Sequence, residues 1–291
     1  MRNSPGGMEH IDMRGKTCVI TGATSGIGQA AANTLVAMGA RVIMIARSRA
    51  RAEIFSGVHA PSPDARPRVY YADLSRLNDM KRVAADISSA EPRIDVLVNN
   101  AGALFSYLNI TEDGLERTFA LNHVAYFVLT NALRKSLIAG APARVINTSS
   151  AAHRGAKLDF HNLQSLQGYS GIYAYRRSKL YNILFTRELA SRLEGTGVTV
   201  NSFHPGIVAS RFGNESGGLV TPGFGLIKTL FGVSPKEGAR TLLFLACSAE
   251  VKEITGKYFE RRRQVRPSPE AENDDCARRL WGETARLAKL Q

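Results

Sequence analysis

Cysteine is scarce in this 291-residue chain, and what there is lies scattered. Cys18, Cys247 and Cys276 are odd in number and far apart, and no Cys-x-x-Cys occurs. That excludes a disulfide framework and a cysteine zinc site, and it suits a reducing cytoplasm. No apolar run approaches the roughly 20 residues that cross a bilayer, and the first residues lack the apolar core of a signal peptide. The expectation is a soluble, cytoplasmic protein. There is no internal repeat and no Pro/Gly/Ser linker between hydrophobic halves, so the 44% hydrophobic content points to one large α/β core. Acid is also short: 25 Asp and Glu against 38 Lys and Arg leave a net charge of +13. The densest basic run, Arg261-Arg262-Arg263, has no interleaved aromatics and belongs to no nucleic-acid motif. The charge therefore reads as a basic solvated surface with no nucleic-acid role, and weak peripheral contact with anionic lipid is the secondary reading.

What is present begins with Thr21-Gly22-Ala23-Thr24-Ser25-Gly26-Ile27-Gly28. The apolar run Thr17 to Ile20 before it reads as a buried strand. The Ala-rich stretch Gln29 to Met38 after it reads as a helix stopped at Gly39, and Ala40 to Ile45 as a second strand. A glycine-rich turn between a strand and a helix lets a pyrophosphate approach the backbone, and the helix supplies free N–H groups and a positive dipole end. Gly22, Ser25, Gly26, Ile27 and Gly28 are the expected phosphate-cradling residues.

About 150 residues later, Tyr175-Arg176-Arg177-Ser178-Lys179 puts a phenol and an ammonium one helical turn apart. Of the nearby Tyr169, Tyr173, Tyr175 and Tyr181, only Tyr175 has a lysine four residues on. A free phenol titrates near 10, and a neighbouring ammonium is expected to lower that value toward usefulness as an acid or base. Three further strands end in small polar residues: Ile94 to Val98 before Asn99-Asn100-Ala101-Gly102, Arg144 to Ser150, and Val198 to Phe203 before His204-Pro205-Gly206. Parallel sheets present such carboxyl ends to a ligand.

From about Gly15 to about Tyr258 the chain resembles the short-chain dehydrogenase/reductase family. The resemblance is carried by the glycine turn, Asp73-Leu74, Asn99-Asn100-Ala101-Gly102, Asn122, Ser149-Ser150, Tyr175 with Lys179, and Pro205-Gly206, in the family's order. The 25-residue step from Ser150 to Tyr175 is roughly twice the family's usual one. With Ile183 to Ala190, Val200 to Gly206 and Ala277-Arg278-Arg279-Leu280-Trp281, it resembles the branch of retinol dehydrogenases and WW-domain oxidoreductases. The resemblance implies a Rossmann-type doubly wound parallel sheet with helices on both faces. It also implies a nicotinamide-dependent oxidoreductase that interconverts a carbonyl and an alcohol. In it Tyr175 is the general acid or base and Ser150 steadies the substrate oxygen, Ser149 being the competing hydroxyl. Lys179 tunes Tyr175 and binds ribose. Asn122, placed in a long apolar helix starting near Gly114, holds a water in a proton relay. It further implies that Asp73 and Leu74 flank the adenine, that Asn100, Ala101 and Gly102 pass the adenosine ribose, that Thr148 faces the cofactor, and that Pro205, Gly206, Val208 and Ser210 hold the nicotinamide carboxamide.

The second strand addresses which cofactor is used. Where an NAD enzyme places a carboxylate for the ribose 2′-hydroxyl stands Ala46, followed by Arg47. A guanidinium suits a 2′-phosphate, so NADP(H) is the expected cofactor, with NAD(H) as the alternative. Residues 1–12 read as a mobile tail, 13–291 as one catalytic domain, about 211–234 as a glycine-rich apolar lid, and about 274–290 as a C-terminal helical extension. The lid favours a small lipophilic substrate such as a retinoid, a steroid or an aliphatic or aromatic aldehyde or ketone. His153 and His161, lacking carboxylate or cysteine partners, read as loop residues rather than a metal site. Helices bearing Asn122 and Tyr175 form a dimer interface in many family members, so a homo-oligomer is allowed. A catalytically silent cofactor-binding regulator and a light-dependent tetrapyrrole reductase are the competing functions. The intact Asn122, Ser150, Tyr175 and Lys179 set opposes the first, and the placement of the three cysteines opposes the second.

Overall fold

The computed structural model describes residues 11–50, 66–206 and 233–290. Among them lie eight strands: β1 (Thr17–Thr21), β2 (Arg41–Ala46), β3 (Arg68–Tyr71), β4 (Val96–Asn99), β5 (Ala143–Thr148), β6 (Val198–His204), β7 (Tyr258–Glu260) and β8 (Arg263–Val265). They form one sheet in the order β3-β2-β1-β4-β5-β6-β7-β8. Every pairing from β3 through β7 is parallel, and β8 alone runs antiparallel. From β1 the chain steps outward to β2 and β3, then returns to β4 on the other side. The β1–β4 crevice is thus the switch point where doubly wound sheets bind ligands.

The strands are buried on both faces, so their side chains divide between two cores. On β2, Val42 and Met44 enter one core, while Ile43 and Ile45 enter the other. The first core is closed by α1 (Gly26–Ala37) and, further along the chain, by the helix Pro235–Cys247. The opposite face is covered by α2 (Leu77–Ala90), then α3 (Arg117–Phe119), a π-helical turn (Ala120–Val124), α4 (Ala125–Ala132) and α5 (Arg134–Ala139). The long α6 (Gly171–Arg192) joins them on that face; the Pro235–Cys247 helix is α7, and α8 (Asp274–Leu287) lies along α6. This is the Rossmann-type α/β fold that the resemblance implied.

Two features are not legible in the sequence. The helix carrying Asn122 starts at Arg117, not near Gly114, because the Glu116 carboxylate accepts the Thr118 and Phe119 N–H groups at 2.8 and 2.7 Å and fixes the first turn there. The basic run Arg261-Arg262-Arg263 is part of a tight hairpin: Arg261 and Arg262 take positive φ (48° and 63°), and Glu260 pairs with Arg263. Two left-handed residues match the twist of the strands, a task usually given to Asn or Gly. The C-terminal α8 docks through buried Leu280 and partly buried Trp281, Ala285 and Leu287, and Leu290 follows it onto the same core. Trp281 lies 4.7 Å from the Phe127 ring and stacks on Phe185. The Arg192 guanidinium lies 4.3 Å from the Trp281 ring.

Candidate active site

The glycine turn is built for close approach of backbone to backbone. Gly22 and Gly26 have φ of 67° and 57°, which side chains rarely adopt. At Gly28 an added Cβ would lie 2.3 Å from Gly22 O and 2.6 Å from Asn100 Nδ2, so the turn closes only without a side chain. Thr21 Oγ1 accepts the N–H groups of Asn100 and Ala101, both at 2.8 Å, tying the turn after β1 to the segment after β4. Ser25 caps nothing with its side chain, and the first turn of α1 has no acidic residue. The donors and dipole at that helix end are thus left to an external anion. The cradle fits a dinucleotide pyrophosphate.

At the outer edge, Ala46 ends β2 buried, and Arg47 is exposed beyond it. The Arg49 guanidinium sits 4.6 Å from the Tyr71 ring. Asp73 closes a local turn, its carboxylate accepting the Ser75 N–H and O–H at 2.9 and 2.7 Å, and Leu74 is buried beside it. Gly102 faces the centre of the site: a Cβ there would lie 3.1 Å from Asn122 Oδ1 and 3.5 Å from Lys179 Nζ. Pro205 and Gly206 follow β6, with Gly206 at φ 88°. Val208, Ser210 and nearly all of the expected 211–234 lid segment lie outside the described residues.

The candidate acid–base groups converge at the carboxyl end of β5. Ser149 Oγ donates to Lys179 O at 2.7 Å and is consumed in holding α6. Ser150 Oγ accepts the Ala152 N–H at 3.2 Å and lies close enough to the Tyr175 phenol to favour its ionised form. The competing tyrosines are committed elsewhere: Tyr169 donates to Phe105 O and Tyr181 to Leu163 O, both at 2.8 Å, and the Tyr173 ring lies against the Arg177 guanidinium. Lys179 Nζ donates to Thr148 O at 3.2 Å and lies 5.4 Å from the centroid of the Tyr175 ring.

Burial dominates the electrostatics. It pushes the Tyr175 phenol up to about 12, with the nearby Ser150 hydroxyl acting in the opposite sense, and it pulls the Lys179 ammonium down to about 7. The expected lowering of the phenol by the ammonium is therefore outweighed: both groups lose water, which keeps the phenol neutral and leaves the ammonium close to its midpoint at neutral pH.

Asn122 sits inside the π-helical turn. Its Oδ1 accepts the Ala103 N–H, and its Nδ2 donates to Ala103 O and Ser178 Oγ, at 2.9, 2.9 and 3.0 Å. A π-turn shifts the backbone register and re-aims carbonyls, as is common at functional sites. The long insert between Ser150 and Tyr175 is ordered because buried Arg177 donates to Lys157 O, Asn162 O and Ser165 Oγ at 3.1, 2.6 and 3.1 Å.

The family described as short chain dehydrogenase matches residues 16–217, well over half the chain. The chain belongs to the short-chain dehydrogenase/reductase family. Retinol dehydrogenase 14 of Mus musculus is 42% identical over 282 residues, covering 92% of this chain and 84% of that protein. Retinol dehydrogenase 13 of Homo sapiens is 38% identical over 283 residues, covering 95% and 86%. Among solved structures, an uncharacterised protein of Mycobacterium paratuberculosis superposes with a TM-score of 0.80 at 28% identity, covering 98% of each chain. The Pseudomonas aeruginosa RhlG/NADP active-site complex does so at 0.66 and 28%, covering 85% of this chain and 95% of that one. The chain is thus a short-chain dehydrogenase of the retinol dehydrogenase branch, an oxidoreductase acting on CH–OH groups.

Two residues of this short-chain dehydrogenase escaped the sequence reading. His153 is not a free loop residue. It is fully buried, its Nδ1 lies 2.7 Å from Ser150 O, and its Nε2 accepts the Ser268 N–H at 3.1 Å. A backbone N–H can only donate, so the ring proton is on Nδ1 and faces Ser150. Asn182 is the second. It reads as one polar residue in an apolar helix, yet it donates to Asn122 O and Thr148 O. No group of His, Cys, Asp and Glu side chains among the described residues could hold a metal ion, and no described helix is long and apolar enough to cross a membrane.

Proposed function

We propose that this enzyme is an NADP(H)-dependent reductase and dehydrogenase of small lipophilic carbonyls and alcohols, with Tyr175 as the general acid or base. The supporting observation is the convergence of half-buried Ser150 and Tyr175 with buried Lys179 and Asn122 beside Gly102. The bound nicotinamide supplies or accepts the hydride. With its pKa raised to about 12, Tyr175 is protonated at neutral pH, the state an acid needs when a carbonyl is reduced. Ser150 donates to the same substrate oxygen and steadies the charge that develops on it. Lys179, in its protonated form, stabilises the phenolate that remains and reaches the cofactor ribose. Asn122 anchors the relay that returns a proton toward Lys179.

Arg47 beyond β2, with no carboxylate at Ala46, supports a 2′-phosphate and hence NADP(H). The RhlG complex, which holds NADP, supports the same reading. The retinol dehydrogenase relatives support a lipophilic substrate. So do the exposed Tyr107, Leu108 and Ile110 after β4, Leu166 in the insert between Ser150 and Tyr175, and Ile172 at the start of α6. The test is oxidation of NADPH against a panel of retinal, steroid ketones, medium-chain aldehydes and sugars, with Tyr175→Phe as the control. Turnover of the lipophilic members that disappears in the variant supports the reading. Turnover of sugars alone, or turnover that survives the substitution, refutes it.

A further inference from the structure

Asn182 follows Lys179 by three residues on α6 and is wholly buried. Its amide nitrogen donates to two backbone carbonyls, Asn122 O at 2.9 Å and Thr148 O at 3.1 Å. The first belongs to the π-helical turn, and the second also receives Lys179 Nζ. On its other side, Asn182 Oδ1 lies 3.3 Å from His123 Nδ1, and His123 Nε2 lies 3.0 Å from Thr284 Oγ1 on α8. The two carbonyls fix the amide orientation, since only nitrogen can donate to them. Oδ1 must then accept, so His123 carries its proton on Nδ1, and its Nε2 accepts from the Thr284 hydroxyl. The His123 ring is enclosed by Phe119, Tyr181 and Phe185, which keep it in one plane.

We propose that Asn182 is a positioning residue for the acid–base site, and that Thr284, acting through His123, sets its orientation from the C-terminal helix. The amide holds the π-turn and the end of β5 at a fixed separation, and that separation aims Lys179. Without the amide, two buried carbonyls lose a donor, and Lys179 becomes the remaining side-chain donor to Thr148 O. Its ammonium is then drawn away from Tyr175 and the ribose. Trp281, seated on Phe127 and Phe185 one turn earlier on α8, keeps Thr284 in register. The C-terminal extension, distant in sequence, is in this way part of the site's scaffold. The proposal rests on the reading of Lys179 given above.

The experiment uses the full chain and the variants Asn182→Leu, Thr284→Val and Thr284→Ser. NADPH affinity is measured by fluorescence titration, and kcat and KM with an aldehyde that the wild type reduces. Asn182→Leu is expected to raise the NADPH Kd and lower kcat by about tenfold each, as loss of an orienting hydrogen bond does. Thr284→Val should lower kcat by about threefold, and Thr284→Ser, which keeps the hydroxyl, should return it to within about twofold of wild type. A purely structural role would lower thermal stability in the valine variant and leave kcat and Kd at 25 °C untouched. Unchanged kcat and Kd in the leucine and valine variants overturn the proposal. If the leucine variant does not fold, equal kcat in the valine and serine variants overturns it alone. Failure of the wild type to bind either nicotinamide cofactor refutes the underlying reading instead.

Discussion

His123 gives this protein an acid limit that can be worked out in advance. The ring is 1% exposed, and burial pulls its pKa down to about 4 from an ordinary 6.5, against a smaller upward pull from Asn182. The unfolded chain therefore binds a proton below pH 6.5 that the folded protein refuses. For a base with a depressed folded pKa, the contribution is fully present above 6.5 and drains away as pH falls toward 4. At pH 5 the loss relative to pH 7.5 is about 2 kcal/mol, and below pH 4 it approaches about 3 kcal/mol. For a chain of this size, about 2 kcal/mol corresponds to roughly 3 °C in Tm. His153 and His204 are also lowered by burial, so wild type alone cannot isolate the effect. The comparison is with His123→Gln, which keeps the other two. Differential scanning fluorimetry at pH 7.5 and pH 5 should show wild type losing roughly 3 °C more than the variant between the two conditions. Parallel losses would show that His123 titrates normally and that its aromatic enclosure does not exclude charge.

Gly28→Ala places a methyl 2.3 Å from Gly22 O, which no side-chain rotation relieves. It should destabilise the fold by about 1–3 kcal/mol and weaken NADPH binding by about tenfold in calorimetric titration. Arg47→Ala should lower kcat/KM for NADPH by about 10–100-fold, the worth of a charge-assisted contact, and leave the value for NADH within about twofold. Equal losses with both cofactors would place Arg47 outside the 2′-phosphate site.

Much of the architecture could be read before any coordinates because its signals are local. Each central strand is a short apolar run closed by small polar residues, and the glycine turn announces the β1–α1 junction. Ser150, Tyr175 and Lys179 follow one another closely enough that order and spacing carry their grouping. The parts that stayed hidden depend on contacts between distant residues. Nothing in Ala120 to Val124 distinguishes a π-turn from an α-helix, because its stabilising partner, Asn182, lies on α6, about sixty residues on. His153 looked like a loop histidine because its two partners are backbone atoms, at Ser150 and at Ser268. Arg261 and Arg262 gave no turn signal, since their left-handed backbone is held by the β7–β8 pairing and by Thr241 Oγ1, which accepts the Arg262 N–H at 3.1 Å. The direction of the Tyr175 shift is hidden for a related reason: the sequence shows the neighbouring ammonium, but not the water that both groups lose.

The most direct measurement is single-turnover reduction by Tyr175→Phe with saturating NADPH. The substitution removes one oxygen from a half-buried site and leaves the glycine turn untouched. The rate should fall by about 10²- to 10⁴-fold, the usual contribution of a positioned proton donor, with NADPH Kd within about twofold of wild type. A variant that binds NADPH normally and reacts within about tenfold of the wild-type rate would contradict the assignment of Tyr175 as the acid.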